Sequence, residues 1–195
     1  DDSDDSEIQA HVTCEADKIE DLHKSANLSL AVASGVYLAR DLGNAPPNDL
    51  YPMAFAEQAI EFGKEHDNVK VTIINYEQAL SMGMGGLVGV GMGSARKPCM
   101  VIFEINPDMP GPSPCIVGKG ITFDTGGISL KPPPSMDEMK YDMHGSATTF
   151  GVMQALVASG HKERVIGVTC MAENMPSSNA QRPGDVIKTY SGKTV

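Results

Sequence analysis

The apolar positions of residues 21–42 recur at nearly helical spacing, with Ser25 and Asn27 on the polar side. This pattern predicts an amphipathic helix over that segment. A run rich in Asn and Pro follows and ends it. Pro52 then fits the first turn of a second helix, which the pattern carries to about His66.

Short apolar runs farther along the chain predict strands. They are rich in β-branched residues or nearly all apolar, as is typical of strands covered on both faces. The predicted strands are residues 69–74, 99–105, 115–119 and 164–171. Helices are predicted between them over residues 76–81 and 142–159, and a hairpin near residues 191–192. Because strands alternate with helices, the pattern predicts an α/β fold with a mostly parallel central sheet flanked by helices.

Composition limits the classes of function. The 195 residues are 41% hydrophobic and 21% charged, which predicts one domain or most of one. A formal net charge of −10 disfavours nucleic acid and anionic lipid as partners. Part of that charge lies in the first seven residues, so residues 1–20 are interpreted as an acidic tail or linker. We expect no membrane span, because no window is continuously apolar for about 18 residues.

The four cysteines are scattered along the chain without CxxC spacing. Neither a zinc knuckle nor a disulfide framework is indicated. This use of cysteine, with the acidic opening that is unlike a signal peptide, predicts a reducing cytoplasm as the compartment.

Two lysines and two carboxylates stand on or near a glycine-rich segment that follows the predicted strand 115–119. They are Lys119, Asp124, Lys131 and Asp142. In α/β folds ligands collect beyond the carboxyl ends of strands, so these side chains are candidates for a metal site. Carboxylates suit divalent cations, and nearby cations would favour the neutral amine that a lysine ligand requires. A second, protonated lysine would polarise a carbonyl or stabilise an oxyanion.

Other interpretations of the same residues remain open at this point. The four charged side chains would also suit a solvated loop with surface ion pairs. His144 is interpreted as a packed or capping histidine rather than a ligand, and Asp137 and Glu138 as a solvated pair. The glycines of residues 83–93 lack the Gly-Lys-Ser/Thr ending of a phosphate-binding loop, and close backbone packing is the preferred explanation for them.

The chain resembles the leucyl aminopeptidase family, the cytosol aminopeptidases, in several motifs that follow one another in the family's order. The matching segments are 39–48, 91–94, 117–120, 123–127, 129–132, 136–143, 173–176 and 182–185. Together they cover nearly everything after about residue 25. The resemblance implies a metal-dependent exopeptidase that releases N-terminal residues from peptides by attack of a metal-activated water.

Carried over residue by residue, the resemblance assigns a role to five positions. Lys119 would bind one metal ion, Asp124 would bridge two, and Asp142 would bind the same ion as Lys119. Lys131 would be the catalytic lysine that stabilises the tetrahedral intermediate. Met139 would line the pocket for the first side chain and favour apolar, leucine-like residues.

The resemblance also implies two divalent ions, zinc or manganese, with cobalt and magnesium as further options. It implies peptide substrates and a homo-hexamer. The family continues beyond the position of Val195 into further acidic ligands and an arginine that holds bicarbonate, so residues 21–195 are predicted to be the N-terminal part of a catalytic domain that is cut at both ends. This chain alone is expected to be nearly inactive. The alternative is a non-catalytic α/β module that binds peptides or partners.

Overall fold

The computed structural model describes residues 9–195 and contains a four-stranded sheet in the order β1-β2-β4-β3. The acidic residues 1–8, where the predicted linker begins, lie outside the described residues. The strands are β1 (Val69–Ile74), β2 (Cys99–Ile105), β3 (Cys115–Asp124) and β4 (Val165–Asn174). The helices are α1 (Ile19–Asn44), α2 (Pro52–Glu65), α3 (Tyr76–Ser81), α4 (Gly85–Gly91) and α5 (His144–Ala158). The α/β class predicted from the sequence is therefore confirmed.

Strand direction differs from the prediction of a mostly parallel sheet. Strand β2 runs antiparallel to both β1 and β4, and the pair β3–β4 is the parallel one. The physical reason lies in the connections. The loop 106–114 joins β2 to β3 and contains no helix. It is too short for the crossover that would make the two strands parallel, so the chain reverses direction there.

The parallel pair positions the candidate site. Helix α5 connects β3 to β4 and packs on both strands, which makes a β-α-β unit. Because the two strands are parallel and adjacent, their carboxyl ends meet at one edge of the sheet. The last residues of the strands, Asp124 and Asn174, are partners in the register.

The core lies between the sheet and helices α2 and α5, around four phenylalanines. Phe55 and Phe62 come from α2, Phe103 from β2 and Phe150 from α5, and all four are buried. Their rings meet mostly edge to face, and the centroids of Phe103 and Phe150 are 4.9 Å apart. Such aromatic packing stabilises the layer of helices on the sheet.

Helix α1 approaches α5 most closely at its small residues. Gly35 is buried, and a Cβ there would lie 2.2 Å from the carbonyl oxygen of Gly151, so the two backbones are in direct contact. Leu28, Val32 and Val36, which the sequence pattern placed on the apolar side, are about half exposed. The helix is confirmed, but only part of its predicted apolar side is buried: Leu42 lies in the core and Leu38 packs against it. None of the helices within residues 9–195 has the length and apolar content to cross a membrane.

The glycine-rich segment after α3 contains a helix that the sequence pattern did not predict. Three glycines of α4 and the one that follows it contact distant backbone or side chains: a Cβ on Gly85 would lie 2.1 Å from Lys188 O, and one on Gly93 would lie 2.4 Å from Met175 O. Close packing is thus the function of glycine at these positions, as preferred above. The predicted hairpin is also present, with a bridge between Lys188 and Thr194.

The four thiols should differ strongly in reactivity. Burial and the neighbouring Cys170 raise the pKa of Cys99 to about 12, and Cys99 is fully buried, whereas Cys14 and Cys115 are exposed. We therefore expect Cys14 and Cys115 to react rapidly with Ellman's reagent and Cys99 to react only after denaturation. Alkylation of the folded chain, followed by mass spectrometry of its peptides, identifies which thiols have reacted. Labelling of Cys99 in the folded chain would contradict the expectation.

Candidate active site

A β-bulge brings Lys119 and Asp124 to the same face of the sheet. In a regular strand, residues five positions apart point to opposite faces. The register with β4 shifts between Ile121 and Phe123, so Thr122 is an extra residue. The partners of Lys119 and Asp124 on β4 are four residues apart, an even number, and the two side chains therefore lie on one side.

Asp124 is the most heavily hydrogen-bonded of the predicted site residues. Its Oδ1 accepts from the side-chain amide of Asn174 at 2.7 Å and from the backbone N–H of Gly126 at 2.9 Å. Its Oδ2 accepts from Lys131 Nζ at 2.7 Å. Burial raises the pKa of Asp124, but these hydrogen bonds and the Lys131 charge outweigh it and lower the pKa below its ordinary value. The carboxylate is therefore held in its ionised form.

Lys119 and Asp142 form the second ion pair. Lys119 Nζ lies 2.8 Å from Asp142 Oδ1, and the lysine side chain is 62% exposed. An ion pair with so exposed a partner contributes only about 0–1 kcal/mol, so little free energy opposes its opening. The other oxygen, Asp142 Oδ2, is buried and has no hydrogen-bond partner among the described residues. A buried carboxylate oxygen without a donor is a position that a cation would satisfy.

The 3-10 helix Met136–Tyr141 joins the two ion pairs. Lys131 Nζ also donates to the Met139 sulfur at 3.0 Å, and Asp142 follows directly after this helix. The backbone N–H of Ile121 donates to Asp142 O at 3.2 Å, which fastens the end of the helix to β3 beside the bulge. The structure thus brings Asp124 together with Lys131 and Met139, and Lys119 together with Asp142.

The donor set fits a divalent cation only if a lysine amine takes part. Across residues 9–195, no three His, Cys, Asp or Glu side chains converge where an ion would bind. Two carboxylates and one amine are the available donors: Asp124, Asp142 and Lys119. The carboxylates are hard oxygen ligands, and the unpaired Asp142 oxygen supplies an open coordination position. The residues therefore fit part of a metal site.

His144, Asp137 and Glu138, interpreted above as packed or solvated, take no part in these two ion pairs. The ring of His144 faces Gly43, where a Cβ would lie 2.2 Å from its Nε2, and its Nδ1 lies 2.8 Å from Tyr141 O. Asp137 and Glu138 are exposed on the 3-10 helix. Glu173, although next to Asn174, accepts from Ser94 and contributes to packing of the loop there.

Asn174 is a contact residue of the candidate site that the sequence reasoning missed. It is 50 positions from Asp124 along the chain, yet its amide makes one of the shortest hydrogen bonds of the site. The available signal was its place three residues beyond the predicted strand 164–171, inside a recognised motif, residues 173–176. A cavity of about 220 Å³ opens beside it, lined in part by Gly126, Gly127, Ile128 and Arg182.

Comparison with known proteins identifies relatives over most of the chain. Residues 37–195 match the model of the cytosol aminopeptidase family, catalytic domain. A probable cytosol aminopeptidase of Pseudomonas syringae pv. tomato is 44% identical over 187 residues, which are 94% of this chain and 38% of that protein. The cytosol aminopeptidase of Vibrio cholerae is 47% identical over 85% of this chain and 33% of its own length. The chain thus spans less than two fifths of these relatives.

Solved structures of related proteins superpose on most of the chain. The bottromycin maturation enzyme BotP in complex with Mn superposes with a TM-score of 0.82 at 38% identity, over 88% of this chain and 37% of that one. Leucine aminopeptidase of Caenorhabditis elegans superposes with a TM-score of 0.78 at 35% identity, over 90% of this chain and 35% of that one.

Proposed function

We propose that this chain, which belongs to the cytosol aminopeptidase family, carries part of the active site of a metal-dependent aminopeptidase. The observation that supports this most is a pair of carboxylates, Asp124 at the end of β3 and Asp142 at the end of the 3-10 helix that returns to β3. Each is already held close to a lysine, and Asp142 has a buried oxygen to which no group in the described part of the chain donates. Surface ion pairs on a solvated loop would not leave a carboxylate oxygen buried and without a donor.

Lys119, Asp124 and Asp142 would hold divalent cations, with Asp124 shared between two of them. Lys119 is exposed and weakly paired, so its amine is free to turn from Asp142 to an ion. Manganese is favoured by its presence in the related BotP structure, and zinc, cobalt and magnesium suit the same donors. The bound ions would polarise a substrate carbonyl and lower the pKa of water.

Lys131 would stabilise the oxyanion that develops on the scissile carbonyl. Its ammonium group is held at 2.7 Å from Asp124 and 3.0 Å from the Met139 sulfur, so it is directed towards the carboxylate that would carry the ions. When ions displace it from Oδ2, the ammonium would stay beside them and place its positive charge where the oxyanion develops. Met139 would contribute to an apolar surface for a leucine-like first residue of a peptide.

The wider properties of the protein follow from its family. We expect a homo-hexamer in the cytoplasm, with peptides as substrates and with bicarbonate as a further group in the complete site. The half-exposed apolar residues of α1, Leu28, Val32 and Val36, support burial of that helix in a larger assembly. Light scattering on the complete gene product tests the assembly, and a monomer would contradict it.

The test of the proposed function compares the 195-residue chain with the complete product of its gene. We expect the complete product to hydrolyse leucine anilide only with added manganese or zinc. We expect the 195-residue chain to be slower by about a thousandfold or more, because catalytic groups that act as a unit lose most of their effect when the unit is broken.

Two results would contradict these expectations. Turnover by the 195-residue chain at about 1 s⁻¹ or faster, an ordinary rate for enzymes, would overturn the expected inactivity. Absence of hydrolysis by the complete product at every metal concentration would overturn the aminopeptidase proposal and favour a module that binds peptides without cleaving them.

A further inference from the structure

The side chain of Asn174 contacts the candidate bridging carboxylate directly. Its Nδ2 donates to Asp124 Oδ1 at 2.7 Å, across the last register pair of β3 and β4. The backbone N–H of Gly126 donates to the same oxygen at 2.9 Å. Since a carboxylate oxygen offers two lone-pair positions, these two donors fill Oδ1.

Asn174 is itself fixed by the backbone that follows β3. Its carbonyl oxygen accepts from both the N–H and the hydroxyl of Thr125, at 3.1 and 2.8 Å. The chain then turns through Gly127, where φ is 71° and a Cβ would lie 2.8 Å from the Asn174 side-chain oxygen. A larger residue at Gly127 would push the amide away, so the turn and the amide fit one another.

The two oxygens of Asp124 therefore differ in kind. Oδ1 is held by two donors on rigid backbone or on a fixed side chain. Within residues 9–195, Oδ2 is held by Lys131 Nζ alone, at the end of a flexible stem. Of the two, Oδ2 is the oxygen that can be vacated, because a cation that approaches it repels the lysine ammonium and leaves the neutral amide of Asn174 in place.

We propose that Asn174 is a positioning residue that locks Asp124 Oδ1 and so presents Oδ2 to the metal ions. This inference rests on the proposed function, in which Asp124 is a metal ligand. Residues that orient a ligand by a hydrogen bond change metal affinity by about 10- to 100-fold when they are removed. Because Asn174 reaches Asp124 by its side chain and Thr125 by its backbone, truncation to alanine removes the first contact and keeps the second.

The experiment measures the affinity of the metal-free complete gene product for Mn²⁺ by isothermal titration calorimetry. We expect Asn174→Ala to weaken binding by about 10- to 100-fold, while the urea midpoint of the metal-free protein falls by no more than about 0.5 M. Asn179→Ala, an exposed asparagine five residues away, is the matched control and should bind as the wild type does. Asn174→Ser, which is too short to reach Asp124, repeats the test if the alanine variant does not fold.

The outcomes separate this inference from the proposed function. If Asp124→Asn weakens Mn²⁺ binding and Asn174→Ala does not, the positioning role is overturned and the metal role of Asp124 stands. If Asp124→Asn also binds Mn²⁺ as the wild type does, both are overturned. A loss of affinity in Asn174→Ala that comes with a larger fall in the urea midpoint would show general damage and would overturn the positioning role.

Discussion

Replacement of Asp124 by asparagine should lower peptide hydrolysis by the complete gene product by about a thousandfold or more. The substitution keeps the size of the side chain but removes its negative charge. It also exchanges one oxygen for an N–H donor. If that donor replaces Oδ2, it faces Lys131 Nζ, which lies 2.7 Å from Oδ2 in the wild type. Under the proposed roles, a cation loses an anionic ligand, and Lys131 loses the carboxylate with which it is paired.

The measurement is kcat for leucine anilide at increasing manganese concentration, so that weak binding is distinguished from lost chemistry. Asp137→Asn is the matched control, since it makes the same change of charge at an exposed position on the neighbouring 3-10 helix. We expect the control to stay within about twofold of the wild type, as surface substitutions do. Activity of Asp124→Asn within tenfold of the wild type would contradict a role for Asp124 in metal binding.

Local elements of this fold could be predicted from the sequence because their signals are local. Strand β1 has the predicted bounds, since its β-branched run is bordered by residues that favour turns. Helix α3 also has the predicted bounds, and Asn75 caps it with a reciprocal pair of hydrogen bonds to Gln78. In both cases the residues that decide the structure lie within a few positions of it.

Features that depend on tertiary contacts could not be predicted. The bulge at Thr122 is set by pairing with β4, about 50 positions away, and nothing in the sequence of β3 places it there. The buried side of α1 was predicted from its large apolar residues, but the contact with α5 is made where Gly35 and Gly151 let two backbones meet. An analysis of hydrophobic periodicity does not count glycine as a buried position, although two glycines allow the close contact between α1 and α5.

The candidate site shows the same division. Lys119, Asp124, Lys131 and Asp142 were identified because they lie within 24 residues of one another in recognisable motifs. The pairing of each lysine with one carboxylate was not predicted, because it depends on the bulge and on the 3-10 helix that returns Asp142 to β3. The contact of Asn174 with Asp124 spans the register of two strands, so only the folded chain reveals it.

The second large effect concerns stability, and we expect it for Gly118→Ala. Gly118 lies in β3 next to Lys119 and is buried against the first turn of α5. A Cβ there would lie 2.4 Å from the carbonyl oxygen of Gly145 and 2.7 Å from Cα of Ser146. All of these are backbone atoms, so no side-chain rotation relieves the overlap, and the helix must move away from the strand.

That movement would act on the site as well as on the fold, because Ser146 Oγ donates to Gly118 O at 3.1 Å and Asp142 lies just before α5. We expect Gly118→Ala to lower the free energy of unfolding by about 1–3 kcal/mol, the usual cost of overpacking, and to weaken Mn²⁺ binding with it. Urea denaturation measures the first effect and calorimetric titration the second.

Gly86→Ala is the matched control, because Gly86 lies in α4 and, among residues 9–195, its added Cβ would meet nothing within 4 Å beyond its own stretch of helix. Alanine there should be neutral or stabilise by up to about 1 kcal/mol, through its higher helix propensity. Equal stability of the two variants would show that β3 and α5 are not in backbone contact, and that Lys119 and Asp142 are held together in some other way.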